Sequence, residues 1–193
     1  MYQITLATGN KHKVEEINLI AKEYDIEFVL PNGDFDPIED GDNFIDNAIC
    51  KAKYASLLGK TELYLADDSG LCVDSLGGEP GIYSARYAPS APERIKKLLN
   101  AMEGIENRKA HFTCAMVVCN KNQEIVFKTQ QFCFGEIMIE QKGEGGFGYD
   151  PIFFVNDENM GMAQLPPEKK AQISHRAKSL NVVLKWLKDE IIK

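Results

Sequence analysis

A change of patterning part-way along the chain restricts its fold most. Ile4, Leu6 and Ala7 have the spacing of a strand, and Val14, Ile17, Ile20, Ala21 and Tyr24 then recur at helical spacing. Residues 26–30 read as a second strand. Phe44, Ile45, Ala48, Ala52, Ala55 and Leu58 mark an amphipathic helix stopped by Gly59, and 63–66 form a short buried strand. Farther on the alternation ends. A helix over 93–102 precedes two adjacent strands, 111–119 and 124–134, that form a hairpin around Asn120-Lys121-Asn122. A final helix after Ser174 buries Ala177, Leu180, Leu184, Leu187 and Ile191. Strands separated by helices become parallel neighbours and strands joined by a turn become antiparallel ones. The expected fold is therefore α/β, a mixed central sheet with flanking helices. At 193 residues the chain is expected to be a single domain over 1–193, with room for an attached lobe.

Composition narrows the function. Hydrophobic residues make up 44% and charged residues 26%, which excludes disorder and coiled coil as the main description. The apolar runs 114–119 and 152–155 fall far short of the ~20 residues of a membrane-spanning helix. The start, Met1-Tyr2-Gln3-Ile4, lacks the basic and apolar stretches of a signal peptide, so a cytoplasmic location with no membrane partner is expected. Five cysteines without a C-x-x-C pair fit neither a disulfide framework nor a zinc ribbon. The net charge of −7 argues against nucleic acid as a partner, because non-specific phosphate binding needs clustered Lys and Arg. An anion can still bind locally, at backbone amides, a few cations or a metal.

Such local sites are present. Thr8-Gly9-Asn10-Lys11-His12-Lys13 lies between a strand and a helix, where free N–H groups and the helix dipole favour phosphate. Simple helix capping by Thr8 or Asn10 is the plainer alternative, and the segment is not a Walker A loop. Asp67-Asp68-Ser69-Gly70 follows an apolar strand, which suggests two carboxylates at a strand end. Adjacent carboxylates repel unless a cation joins them, and oxygen-rich sites suit Mg²⁺. Glu39, Asp40 and Asp42 lie in the polar loop 31–43 and could add a ligand. Gly143-Glu144-Gly145-Gly146-Phe147-Gly148 matches G-x-G-x-x-G formally, but Tyr149-Asp150-Pro151 follows it instead of a helix, so a loop offering Phe147 or Tyr149 to a flat ligand is the better reading. Ser174-His175-Arg176, with Lys170 shortly before, makes a donor-rich helix start. No G-x-S-x-G elbow occurs, and His111 sits in strand-like sequence.

Taken together these segments resemble the inosine triphosphate pyrophosphatase family. The resemblance runs through Thr8-Gly9-Asn10 with Lys13, Glu39 ahead of Phe44-Ile45-Asp46-Asn47-Ala48, Lys53, Ala66-Asp67-Asp68-Ser69-Gly70-Leu71, the block from Gly78 to Arg86, Gly145 to Pro151, and Ser174-His175-Arg176. Asn43, where the family more often has Ser or Thr, and Pro166-Pro167 depart from it. The resemblance implies an elongated fold with two lobes around a nucleotide cleft, a homodimer, and Mg²⁺-dependent conversion of deaminated purine nucleoside triphosphates to monophosphate and pyrophosphate. It implies Glu39 and Asp68 as metal ligands, and Asp68, assisted by Asp67, as the group acting on the attacking water. Thr8, Gly9, Asn10, Lys13, Lys53, Ser69 and Lys170 would hold the triphosphate. Phe147 would stack on the purine, with Gly148, Tyr149, Asp150, Ser174, His175 and Arg176 shaping the base pocket. A nucleotide-binding regulator without catalysis, and a pyrophosphatase of the related septum-inhibitor family, are the rival readings.

Overall fold

The computed structural model describes residues 2–191, side chains at 11 and 23 excepted. Strand β1 (Tyr2–Ala7) leads into helix α1 (Lys11–Ile20), and a single 3-10 turn (Ala21–Glu23) closes that helix before β2 (Ile26–Val29). The helical periodicity extends to Tyr24, but its N–H bonds Ala21 O at 2.9 Å, the tighter pairing of a frayed helix end. Helix α2 (Phe44–Leu58) is capped by Asn43, whose Oδ1 accepts the Asp46 N–H at 3.0 Å. Asn ranks with Ser and above Thr in this role, so the departure at Asn43 leaves the helix start intact.

Strand β3 (Leu63–Val73) is followed by α3 (Ala91–Ala101), which Ser90 and Glu93 close with a reciprocal capping box. The hairpin β4 (Lys109–Asn120) and β5 (Ile125–Ile137) comes next, then β6 (Phe153–Val155) and β7 (Met160–Gly161). Helix α4 (Pro167–Ile173) begins at Pro167, at a first-turn position where a missing N–H costs nothing, so the Pro pair is a helix start. Helix α5 (His175–Trp186) ends in a π turn (Leu187–Ile191). That turn shifts the side-chain phase, and Ile191, expected on the buried stripe, is exposed.

The strands form one seven-stranded sheet in the order β2-β1-β3-β4-β5-β6-β7. β1 pairs in parallel with β2 and with β3, the latter in a register that sets Leu6 opposite Leu65 and Ala7 opposite Ala66. β5–β6 and β6–β7 are antiparallel, so the sheet is mixed as expected.

The chain divides into two compact units. Unit 1 takes the described residues of Met1–Asp68, Cys114–Gln131 and Arg176–Lys193; unit 2 takes Ser69–Thr113 and Phe132–His175. In unit 1, Ile4, Leu6, Ile17, Leu65 and Leu184 share one core. A second, made largely of Ala7, Ala48, Ala52, Ala55 and Ala66, lets α2 lie close to the strands. Unit 2 buries Leu71, Leu98, Phe112, Ile137, Phe153 and Met162 together. β3, β4 and β5 each pass from one unit into the other, so neither unit is a continuous piece of chain.

Candidate active site

In unit 1 the chemistry centres on β3. The strand does not stop at Ala66 but runs for eleven residues through Asp67 and Asp68. Successive residues of a strand point to opposite faces, so the two carboxylates are kept apart and each has its own cations. Asp67 Oδ2 accepts from Lys13 Nζ at 2.9 Å and from Arg176 Nε at 3.3 Å. Asp68 Oδ1 accepts from Lys51 Nζ at 2.6 Å, and its Oδ2 accepts from the Asn47 amide at 3.3 Å. This corrects the expectation that the strand ends at Ala66 and holds two adjacent carboxylates at its end. Charges can persist mid-strand because residues distant in sequence neutralise them.

The two neighbours differ in how firmly they hold a proton. Burial would raise the Asp67 carboxyl, but Lys13 and Arg176, with Lys51 behind them, hold it well below the usual carboxylate range. For Asp68 burial wins over the pull of Lys51, and Glu39 adds to it, so its proton is held more tightly than an ordinary aspartate's. Burial alone would lower Lys51, yet Asp68, Asp67 and Glu39 together raise it, so Lys51 stays a cation. One carboxylate is fixed as an anion; its neighbour is poised to accept a proton.

Lys51 Nζ also lies 3.4 Å from Glu39 Oε1. The acidic loop reaches this point through Gly41, whose N–H donates to Asn47 Oδ1 at 2.9 Å. A Cβ on Gly41 would come within 2.7 Å of Asp46 Cβ and 2.8 Å of the Asn47 nitrogen, so only glycine permits the approach. Asn47 therefore ties the loop to Asp68. At the other end of the group, Thr8 Oγ1 accepts the Asn10 N–H at 3.1 Å and Asn10 Oδ1 accepts the His12 N–H at 3.0 Å. These are the bonds of a helix cap. They use acceptor oxygens and leave the Thr8 hydroxyl hydrogen and the Asn10 amide hydrogens as donors.

Arg176, buried at 1% exposure, also pairs its Nη1 with Glu16 Oε2. Its guanidinium is engaged by carboxylates of unit 1, whereas the resemblance placed it in the base pocket.

Unit 2 carries a separate group. Asp150 Oδ2 accepts both the Phe147 N–H and the Lys170 ammonium at 2.8 Å, and Lys170 Nζ sits 4.7 Å from the centroid of the Phe147 ring. Gly146 has φ 72°, and a Cβ there would meet Asp150 Oδ2 at 2.2 Å. Its glycines serve close backbone packing, and the loop is pinned to Asp150. Tyr149 is buried and donates its hydroxyl to Ser84 O at 3.0 Å. His175 is buried against Phe112, ring centroids 4.8 Å apart and nearly parallel. Ser174 closes α4 through its N–H to Lys170 O at 3.0 Å, just before α5 begins.

The sequence profile of the Ham1 family matches residues 4–186. The chain belongs to that family. It is 42% identical to the dITP/XTP pyrophosphatase of Treponema denticola, with 96% of this chain and 98% of that protein covered. It is 45% identical to the dITP/XTP pyrophosphatase of Vibrio parahaemolyticus over 93% of this chain and 94% of that one. The Ham1 protein of Staphylococcus aureus superposes with a TM-score of 0.86 at 39% identity, covering 97% and 99% of the two chains. The HAM1 protein of Coxiella burnetii gives the same TM-score at 35% identity, covering 98% and 100%.

Within this Ham1 chain, unit 1 gathers Lys13, Glu39, Asp67, Asp68 and Arg176, with Thr8 and Asn10 capping α1. Unit 2 gathers Phe147, Asp150 and Lys170, while half-buried Ser69 continues β3 beyond Asp68. Lys53 is not brought into either group: it is exposed on α2, about 200° around the helix from Lys51. Lys51 and Glu16 were not singled out from sequence, and Asn47 entered only within the 44–48 block, without a role. A lysine on the stripe of Ala48, Ala52 and Ala55 was the signal for Lys51, since a buried ammonium needs a carboxylate.

Among the described residues no three His, Cys, Asp or Glu side chains form a cluster that could hold a metal alone. Glu39 and Asp68 instead share the Lys51 ammonium, so positive charge already lies between two hard oxygen donors. Mg²⁺ is commonly held by one or two carboxylates plus substrate phosphates, and this donor set fits that mode.

Proposed function

We propose that the protein hydrolyses deaminated purine nucleoside triphosphates, dITP, ITP and XTP, to the monophosphate and pyrophosphate in a Mg²⁺-dependent reaction that cleanses the nucleotide pool. The observation that carries this reading is the alternation of carboxylate and cation in unit 1: a buried carboxylate on each side of β3, each engaged by a lysine, with Glu39 facing Lys51. The names of the Ham1 relatives supply the substrate class.

Each group then has a task. Lys13 and Lys51 offer positive charge to the triphosphate, and Thr8 and Asn10 offer donors at the start of α1. Asp68, which holds a proton more tightly than usual, accepts one from the water that attacks the α-phosphorus. Asp67 stays ionised and orients that water. Glu39 and Asp68 would hold Mg²⁺, which when bound offsets charge on the pyrophosphate leaving group. In unit 2, Phe147 offers a face for stacking. Hypoxanthine and xanthine carry a carbonyl oxygen where adenine carries an amino group. The Lys170 ammonium and the N–H groups at the start of α5 are donors suited to the former. A site that hydrogen-bonds a substrate group can reject an analogue lacking it by about 10⁴-fold.

A panel of nucleoside triphosphates with Mg²⁺, scoring pyrophosphate separately from orthophosphate, tests the reading. dITP, ITP and XTP should react fastest, ATP far more slowly, and chelation should stop turnover. Stepwise orthophosphate release through a diphosphate would refute it. The family resemblance also supports a homodimer, which sedimentation would reveal, and a cytoplasmic location. Among the described residues no helix is long and apolar enough to cross a membrane.

A further inference from the structure

We propose that Lys51 competes with the divalent cation: its ammonium holds Glu39 and Asp68 until a triphosphate draws it away, so that metal and nucleotide load together. The inference deepens the pyrophosphatase reading above and rests on its Mg²⁺ assignment.

Lys51 Nζ lies 2.6 Å from Asp68 Oδ1 and 3.4 Å from Glu39 Oε1. These are the two side chains expected to hold Mg²⁺. A dication brought to them meets a like charge bonded to both, in a partly buried place where salt screens little. One of the three groups must yield. Asp68 lies mid-strand in β3, and its Oδ2 accepts from the Asn47 amide at 3.3 Å. Asn47 is itself fully buried, and its Oδ1 takes the Gly41 N–H at 2.9 Å, which pins the loop that carries Glu39. Lys51 differs from both, being a compact charge on a flexible stem with rotatable donors. Its backbone is held on α2, beside the alanines that pack against the strands, but its ammonium can exchange one oxygen for another. The ammonium is therefore the part that moves.

It needs an anion to move to. The Lys51 side chain is only 7% exposed, so an ammonium displaced from Asp68 with no new partner would be a buried, uncompensated charge. The phosphate oxygens of a triphosphate supply that partner. A divalent cation thus binds the protein alone weakly, against the ammonium, and binds better once a triphosphate has taken the ammonium over. Linkage makes the effect mutual, so the cation raises the affinity for the triphosphate by the same factor. Glu39 and Asp68 then carry a dication only when there is a phosphoanhydride to cut.

The test uses the full-length protein without nucleotide and Mn²⁺ alone as the probe, its free concentration read by electron paramagnetic resonance. Lys51→Gln removes the charge and keeps a donor for Asp68. It should bind Mn²⁺ about 10-fold tighter than wild type, within the usual range of coupling between sites. Adding Asp68→Asn should abolish that gain. Equal or weaker binding by Lys51→Gln, or a gain that survives Asp68→Asn, overturns the competition. Should Lys51→Gln not fold, acetic anhydride labelling of the wild type carries the same test, with exposed Lys53 as the internal reference. Excess Mn²⁺ should raise the labelling of Lys51 relative to Lys53, and an unchanged ratio overturns the inference. Turnover of dITP that survives chelation removes the metal from the pyrophosphatase reading and the competition with it. Chelation-sensitive turnover beside unaltered Mn²⁺ binding in Lys51→Gln removes the Lys51 role alone.

Discussion

Replacing Lys51 by Met should destabilise the fold, and replacing Asp68 by Asn in the same chain should largely reverse the loss. The Lys51 and Asp68 side chains are only 7% and 9% exposed, and their charged atoms are 2.6 Å apart. Removing one member of a buried pair leaves an uncompensated charge and costs about 3–5 kcal/mol. Asp68 can relieve part of that by taking a proton, which places the expectation at about 3 kcal/mol. For a chain of this length each kcal/mol moves Tm by about 2–4 °C, so the drop should be about 6–12 °C. In the double variant the buried Asp68 charge is gone, Glu39, whose side chain is 32% exposed, can be solvated, and Asn can keep a contact with Asn47. Tm should then return to within a few degrees of wild type, a non-additivity typical of residues in contact.

The sign of the pH effect follows from Asp68. Its folded-state pKa is raised, so the stability linked to it is complete below the unfolded value of about 3.9 and lost as pH rises through the folded one. Loss of Lys51 raises it further. The Tm deficit of Lys51→Met should therefore be larger at pH 8 than at pH 5. Melting followed by circular dichroism in EDTA measures both effects. Equal Tm values for single and double variants, or a deficit independent of pH, would refute the argument.

Asp68→Asn should lower kcat on dITP by about 10²-fold or more with a modest change in KM; unchanged kcat would remove Asp68 from the mechanism. Phe147→Ala should raise KM for dITP by the equivalent of about 1–3 kcal/mol of lost stacking. Inhibition by inorganic tripolyphosphate should not move, and equal losses for both would deny Phe147 the base. Burial pushes the thiols of Cys114 and Cys119 up to about 12 and about 11. Both should resist a disulfide reagent at pH 8 until the protein unfolds. Because these values are raised, their contribution to stability is complete below the unfolded thiol value of about 8.5 and is lost as pH rises through 11 to 12. Native-state labelling of either cysteine at pH 8 would contradict this.

The order of strands and helices up to the hairpin, and the last helix, were legible because each carries its own period; β6, β7 and α4, at three, two and seven residues, are too short to carry one. The apolar stripe of α2, its Asn cap and its closing Gly59 are all local signals. Asp67 and Asp68 misled for the opposite reason. Two acids after an apolar run look like a strand end, and what keeps them in mid-strand is Lys13, Lys51, Asn47 and Arg176, none of them a sequence neighbour. The resemblance named both acids and Lys53; the buried Lys51 ammonium between Glu39 and Asp68 lay outside it, and Lys53 is exposed on α2. Arg176 was visible as a donor, but its contacts with Asp67 and with Glu16, 160 positions away, were not.

The parallel ladder between β1 and β3 also acts as a ruler. Ala7 faces Ala66 across it, so the residues that follow, Thr8 just past the end of β1 and Asp67 within β3, leave the same rung. A slip of one residue would turn Asp67 toward Lys51 and Asp68 toward Lys13, exchanging the fixed anion with the poised one. An insertion or deletion within β3 is thus a chemical lesion even where the core could repack around it. The turn at 121–123 is tied down as well: the Lys121 N–H bonds Glu62 O at 3.1 Å, and Asn120 Oδ1 accepts the Asn122 and Glu124 N–H groups at 2.9 and 3.0 Å, so its length sets the β4–β5 register in the same way.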